Sequence, residues 1–114
     1  MKDSLVFIDH ILESIKDIES FTNNVGKNEF SQNKLLQNAV IRSIEIIGEA
    51  TKNIPDPFKE RYSDVEWRKI AGTRDKITHH YFGLDLDTIW DTLKEDIPVL
   101  KKKILKIKEQ LNKK

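Results

Sequence analysis

The chain contains no cysteine. That excludes disulfides, thiolate catalysis and cysteine-ligated zinc, and it suits a reducing compartment. Proline and glycine are scarce, three and four residues in 114, which excludes a loop-rich or collagen-like build. No apolar run approaches the ~20 residues needed to cross a bilayer. The opening Met1-Lys2-Asp3-Ser4 lacks the basic-then-apolar pattern of a secretion signal. A cytoplasmic protein without membrane contact is expected. Net charge is also missing: 20 Lys and Arg against 19 Asp and Glu leave +1. Non-specific coating of nucleic acid is excluded at that balance, whereas a local basic patch is not. What is present is charge of both signs, 34% of the chain, beside 38% hydrophobic residues. That is the composition of a folded helical protein, and the length predicts one domain over residues 1–114.

Apolar residues recur at helical spacing. Leu5, Ile8, Ile11, Leu12, Ile15 and Ile18 predict a helix over 4–21, capped by Asp3 or Ser4. Thr22 to Lys27, with Asn23, Asn24 and Gly26, reads as a break. Leu35, Leu36, Ala39, Val40, Ile44, Ile47 and Ala50 predict a second helix from about Ser31 to Asn53. Arg42, Glu45 and Glu49 fit a solvated face with helix ion pairs. Gly48 costs about 1 kcal/mol against Ala in a helix interior. Either it is uninformative, or another helix approaches closely there. Pro55 ends this helix. Asp56-Pro57 suits a cap and first turn for a short helix over 57–62.

Ser63 and Glu66 spell a capping box for a helix from 64 to about 82, stopped at Gly83. A last helix begins near Asp85 or Asp87 and runs to about 111, carrying Leu86, Ile89, Trp90, Leu93, Ile97, Leu100, Ile104, Ile107 and Leu111 on its apolar face. Pro98 kinks or splits it near Asp96. The Lys-rich end, 101–114, reads as a solvated helix terminus whose cations suit the helix dipole, or as a contact for RNA or an acidic partner. The predicted fold is all-α, an up-down bundle of four main helices plus one short one.

One stretch gathers chemistry: Arg74-Asp75-Lys76-Ile77-Thr78-His79-His80-Tyr81. Arg keeps its charge and presents fixed donors to phosphate oxygens. His titrates near neutrality and moves protons. Cleaving RNA without a metal needs those two jobs, proton transfer at the 2′- or 5′-oxygen and charge stabilisation at phosphorus. Tyr81 adds a phenol at the same locus. On an ideal helix Arg74 and Tyr81 lie roughly 20° apart, but His79 lies about 140° from Arg74. Either the helix loosens near His79, or a cleft gathers residues from two copies of the chain. Taken alone, an Arg with a His five residues on is common in helices. His79-His80 is not a metal pair, since adjacent helical residues diverge and no second pair of ligands accompanies them. His10 is expected on the solvated side of the first helix.

The wider pattern says more. Arg74-x4-His79-x-Tyr81 lies between Trp67-Arg68-Lys69-Ile70-Ala71-Gly72 and Phe82-Gly83-Leu84-Asp85. With Ala39-Val40-Ile41-Arg42, Ile46-Ile47-Gly48-Glu49-Ala50, Trp90 and the Leu93–Pro98 segment, it resembles the HepT-like family of the HEPN superfamily over nearly the whole chain. The resemblance implies a helical homodimer. It implies the toxin of a type VII toxin–antitoxin pair, a metal-independent endoribonuclease without a cofactor of its own. The implied partner is a minimal nucleotidyltransferase antitoxin that uses ATP to place AMP on the motif tyrosine. Carried over, Arg74 and His79 are the catalytic pair on RNA, Tyr81 is the AMP acceptor, and Asp75, Thr78 and His80 support them. Many relatives carry Asn where this chain has Asp75; a carboxylate there either orients Arg74 or repels an RNA phosphate. A second reading keeps the cleft without nuclease activity, as a nucleotide-binding or scaffold partner of a nucleotidyltransferase. A third is a helical dimer in which the motif is accidental.

Overall fold

The computed structural model describes residues 2–79 and 86–113, and all regular structure among them is helical. The chain measures 45 × 29 × 19 Å. Helix α1 (Lys2–Phe21) buries Ile8, Ile11, Leu12, Ile15 and Ile18 along one stripe, as three- and four-residue steps require. It starts two residues earlier than the expected position 4, so Asp3 and Ser4 lie inside it and do not cap it. It stops at a turn in which Asn24 takes φ 60°, a left-handed conformation that Asn tolerates.

The second predicted helix is two helices. Short α2 (Lys27–Gln32) and long α3 (Lys34–Asn53) are separated at Asn33. The Asn33 side chain accepts from the Leu36 N–H at 3.0 Å, which caps α3. Phe30 of α2 is fully buried, its ring 5.4 Å from that of Trp90. Burying that ring stabilises by roughly 1.5–3 kcal/mol, more than an unbroken helix through Asn33 would gain. Leu35 also departs from expectation. It is 81% exposed, because nine residues, about 900°, set it opposite Ile44 on the helix. Val40, Ile44, Ile47 and Ala50 are buried as expected.

Helix α4 (Asp56–Arg61) follows with Pro55 as its cap. The capping box at Ser63 is not made. Helix α5 (Trp67–His79) begins three residues later than predicted, after a turn that sinks Val65 and Trp67 into the core. The Trp67 indole N–H donates to the Tyr62 carbonyl at 3.1 Å. Burial of these two side chains, roughly 1.5–3 kcal/mol for the valine alone, outweighs a cap at about 1 kcal/mol. The expected stop at Gly83 lies outside the described residues.

The last helix splits where Pro98 predicts. Helix α6 (Leu86–Asp91) passes into a π-helical turn (Thr92–Asp96) and then α7 (Ile97–Asn112), with Pro98 in its first turn. Proline lacks an N–H and its ring crowds the carbonyl four residues back. The wider turn accommodates this, with the Ile97 N–H reaching the Thr92 carbonyl, five residues back. Among the described residues two short helices, α2 and α4, accompany the four main ones, where one was expected.

Helices α1 and α5 both pack on α3, and α7 packs on α1. The lysine-rich end is only partly a solvated face. Lys101 reaches Glu19 at 2.9 Å, Lys108 reaches Asp9 at 2.8 Å, and Lys103 donates to the Asp64 carbonyl at 2.6 Å. Among the described residues, no helix is long and apolar enough to cross a membrane.

Candidate functional site at the contact of α3 and α5

The inward stripe of α5 runs through Trp67, Ile70, Arg74 and Ile77. Trp67 and Ile77 are buried and Ile70 is partly so. Arg74 thus occupies a position that periodicity would assign to an aliphatic residue. Its side chain is 24% exposed. A cation can hold that position only where the opposite helix makes room and supplies partners.

Helix α3 does both within two turns. Gly48 is buried against Arg74. A Cβ at that position would overlap the Cβ and Cγ of Arg74, so the close approach offered as one explanation of this glycine is what the structure contains. Glu49, the next residue, accepts from Arg74 Nη2 at 3.3 Å. Asp75 accepts from Arg74 Nη1 at 3.3 Å and also from the Lys52 ammonium. The Arg74 Nε is buried with no hydrogen-bond partner among the described residues. Two cations and two carboxylates therefore interleave, Glu49–Arg74–Asp75–Lys52, along the seam of two helices.

The electrostatics follow from those contacts. The hydrogen bond to Asp75 raises the pKa of Arg74 above its ordinary value; burial opposes this, and the hydrogen bond to Glu49 adds a smaller upward push. The Lys52 hydrogen bond, then that of Arg74, holds the Asp75 carboxyl below its ordinary 3.8. Asp75 therefore contacts Arg74 directly, the contact that an orienting role requires. Glu49, read as part of a solvated face with helix ion pairs, is exposed, but its partner is Arg74 of another helix. Its signal was present: it follows the one helical glycine of α3 and lies on the seam that α5 must meet.

The backbone of α5 stays α-helical through His79. Position 79 thus sits about 140° around the axis from position 74, and the helix does not loosen before it. The side chains of Thr78 and His79, and all of His80 and Tyr81, lie outside the described residues. His10 is exposed, edge-on to Phe7 at 6.3 Å, as its helix position predicts.

A groove of about 210 Å³ opens beside the seam, lined by Ile44, Ile47, Ile70, Thr73, Ile97 and Leu100 among others. The lysines on its rim are engaged, Lys69 with Asp96 at 3.2 Å and Lys103 with the Asp64 carbonyl. Its aliphatic lining suits apolar matter, whereas the guanidinium donors lie at the seam.

The HepT-like family, described as ribonuclease HepT-like, matches residues 11–107. The chain is 47% identical over 103 residues to the "Probable ribonuclease HepT" of Thermococcus cleftensis, covering 90% of this chain and 94% of that protein. It is 49% identical over 112 residues to a "Gamma-glutamylcyclotransferase and putative RNase" of Methanocaldococcus jannaschii, covering 98% of this chain and 50% of that protein. The chain thus spans half the length of the latter relative. No solved structure matches it significantly.

Proposed function

The chain belongs to the HepT-like ribonuclease family, and from that premise we propose that it is a metal-independent endoribonuclease, the toxin of a type VII toxin–antitoxin pair. The observation that carries the reading is the seat of Arg74. A permanently charged guanidinium stands in the inward stripe of a helix, pressed on Gly48 and braced by Glu49 and Asp75. A core aliphatic would be the cheaper occupant unless the cation has work to do.

In the reaction, the ribose 2′-oxygen bonds to the adjacent phosphorus as the bond to the 5′-oxygen breaks. The 2′-hydroxyl loses a proton and the 5′-oxygen gains one, leaving a 2′,3′-cyclic phosphate and a 5′-hydroxyl. Arg74 stabilises the charge that builds on the phosphoryl oxygens. His79 carries one of the protons. Because positions 74 and 79 diverge on a continuous helix, this reading needs a homodimer whose cleft pairs Arg74 of one copy with His79 of the other.

Silencing follows from Tyr81. A minimal nucleotidyltransferase antitoxin transfers AMP from ATP: the phenol oxygen bonds to the α-phosphorus, pyrophosphate leaves, and the phenolic proton is released. The added phosphate and adenine then compete with RNA for Arg74.

The test is cleavage of RNA by the purified protein in excess chelator, with the ends identified by mass. A cyclic phosphate end is expected, and His79→Ala should lower the rate by about 100-fold or more with helical content unchanged. Cleavage that survives His79→Ala, or that stops with the chelator, would overturn the reading. Co-expression with the nucleotidyltransferase should add one or more AMP masses to the peptide containing Tyr81. An unmodified peptide in a neutralised complex would mean that binding alone silences the protein.

A further inference from the structure

Neither Glu49 nor Lys52 belongs to the Arg74–His79–Tyr81 pattern, yet both are joined to it. Glu49 contacts Arg74 itself, and Lys52 holds the Asp75 that Arg74 shares. We propose that Glu49 and Asp75 form a two-point carboxylate clamp that sets the guanidinium plane of Arg74 for the phosphate of RNA, with Glu49 as a positioning residue. This inference rests on the ribonuclease reading above.

A guanidinium has five N–H donors in one plane. Glu49 takes one at Nη2 and Asp75 takes one at Nη1, both at 3.3 Å. Anchors on two different nitrogens fix the rotation of the plane as well as its place; a single anchor leaves a pivot. The Nε is buried, which closes that edge to a phosphate. What Arg74 can offer outward is the remaining donors on Nη1 and Nη2, the planar pair that suits two phosphoryl oxygens.

The base of the side chain is fixed too. Its Cβ and Cγ lie over Gly48, so the stem has no room to swing toward α3. An exposed ion pair between two helices usually does little. Here the pair acts at the tip of a stem already held, so it decides direction more than strength. Charge matters in a second way. The four side chains sum to zero, so distant RNA is drawn weakly and the engaged phosphate must match the donors in position. Glu49 thereby trades affinity for orientation.

The experiment compares wild type, Glu49→Gln and Glu49→Ala on a short single-stranded RNA, with thermal melts beside the kinetics. Glutamine keeps an acceptor and removes the charge. Its kcat should stay within about threefold of wild type while KM falls severalfold at low salt, a gain that high salt erases. Alanine removes the anchor, and its kcat should fall by about tenfold or more. Phenylglyoxal labelling of Arg74, read by mass on its tryptic peptide, should be severalfold faster in Glu49→Ala. The clamp is wrong if Glu49→Ala keeps the wild-type kcat, or if both variants lose kcat together in step with their melting temperature. A wild-type protein that cuts no RNA sinks the ribonuclease reading alone. The labelling rate then decides, and no acceleration in Glu49→Ala overturns the clamp.

Discussion

Helices α1 and α5 pack on the same partner, α3, and are built from different materials. Helix α1 brings Ile8, Ile11, Leu12, Ile15 and Ile18, none more than 5% exposed. Helix α5 brings Trp67, Ile70 and Ile77, and between them a cation that is salt-bridged at both ends of its guanidinium. The first contact excludes water and is indifferent to direction, because dispersion and burial are not directional. The second depends on which atom meets which, because hydrogen bonds to charged groups weaken steeply with geometry. One side of the fold is therefore held by burial, and the other by contacts that depend on direction. The comparison predicts that the two contacts respond differently to damage.

The largest effect on stability is expected on the α1 side. Ile15 is fully buried, and Ile15→Ala should cost about 2–5 kcal/mol. The loss should appear as a lower denaturation midpoint. RNA cleavage per folded molecule should hold at the wild-type rate, measured well below that midpoint. A specific activity that falls with the midpoint would break the division between the two contacts.

Gly48 lies on the other side and gives a smaller change in stability with a larger one in activity. Replacing it with Ala gains about 1 kcal/mol of helix propensity and loses about 1–3 kcal/mol to overpacking, a net loss of up to about 2 kcal/mol. The clash falls on the Cβ and Cγ of Arg74, which cannot yield without moving α5. A displacement of about 1 Å at a positioned group can cost on the order of 100-fold in rate. Gly48→Ala is therefore expected to melt below wild type, by less than Ile15→Ala does, and to cut RNA at least tenfold more slowly. Wild-type kinetics in that variant would show that the fit of Arg74 on Gly48 is not used.

This asymmetry also explains what could be read from the chain beforehand. The aliphatic stripe of α1 was legible because 3.6-residue periodicity is a property of single helices. The split at Pro98 was legible because proline acts on its own backbone. Three features were not. The break at Asn33 depends on Phe30 finding Trp90, some sixty positions away in sequence. The capping box at Ser63 failed because burial of Val65 and Trp67 outweighs a local cap. Glu49 reads as solvated face in the sequence, and Lys52 carries no signal there, because their partners lie on another helix. The motif named Arg74 and Asp75, while the residues that hold them come from α3. Local chemistry can be read along one helix, whereas a seam needs two helices to be aligned first. The pairing of Gly48 with the inward register of Arg74 between Ile70 and Ile77 was the available clue.

The smallest effect, and the finest test of the comparison, concerns pH. Lys52, then Arg74, hold the Asp75 carboxyl below 3.8 in the folded chain. A group whose folded pKa is depressed adds stability that is present above its unfolded pKa. That stability is lost as pH falls through the folded value. Asp75→Asn removes the titration but keeps an acceptor for Arg74. The variant should therefore melt slightly below wild type at neutral pH, and the gap should close as the pH is lowered below about 4. Its size should be modest, because Asp75 is 44% exposed and solvent screens such pairs. No such pH-dependent gap should arise from an uncharged change on α1, such as Ile15→Val, whose cost of about 0.5–1.5 kcal/mol has no proton to exchange. A melting gap for Asp75→Asn that stays constant from neutral to acid pH would mean that the seam, like α1, is held by packing alone.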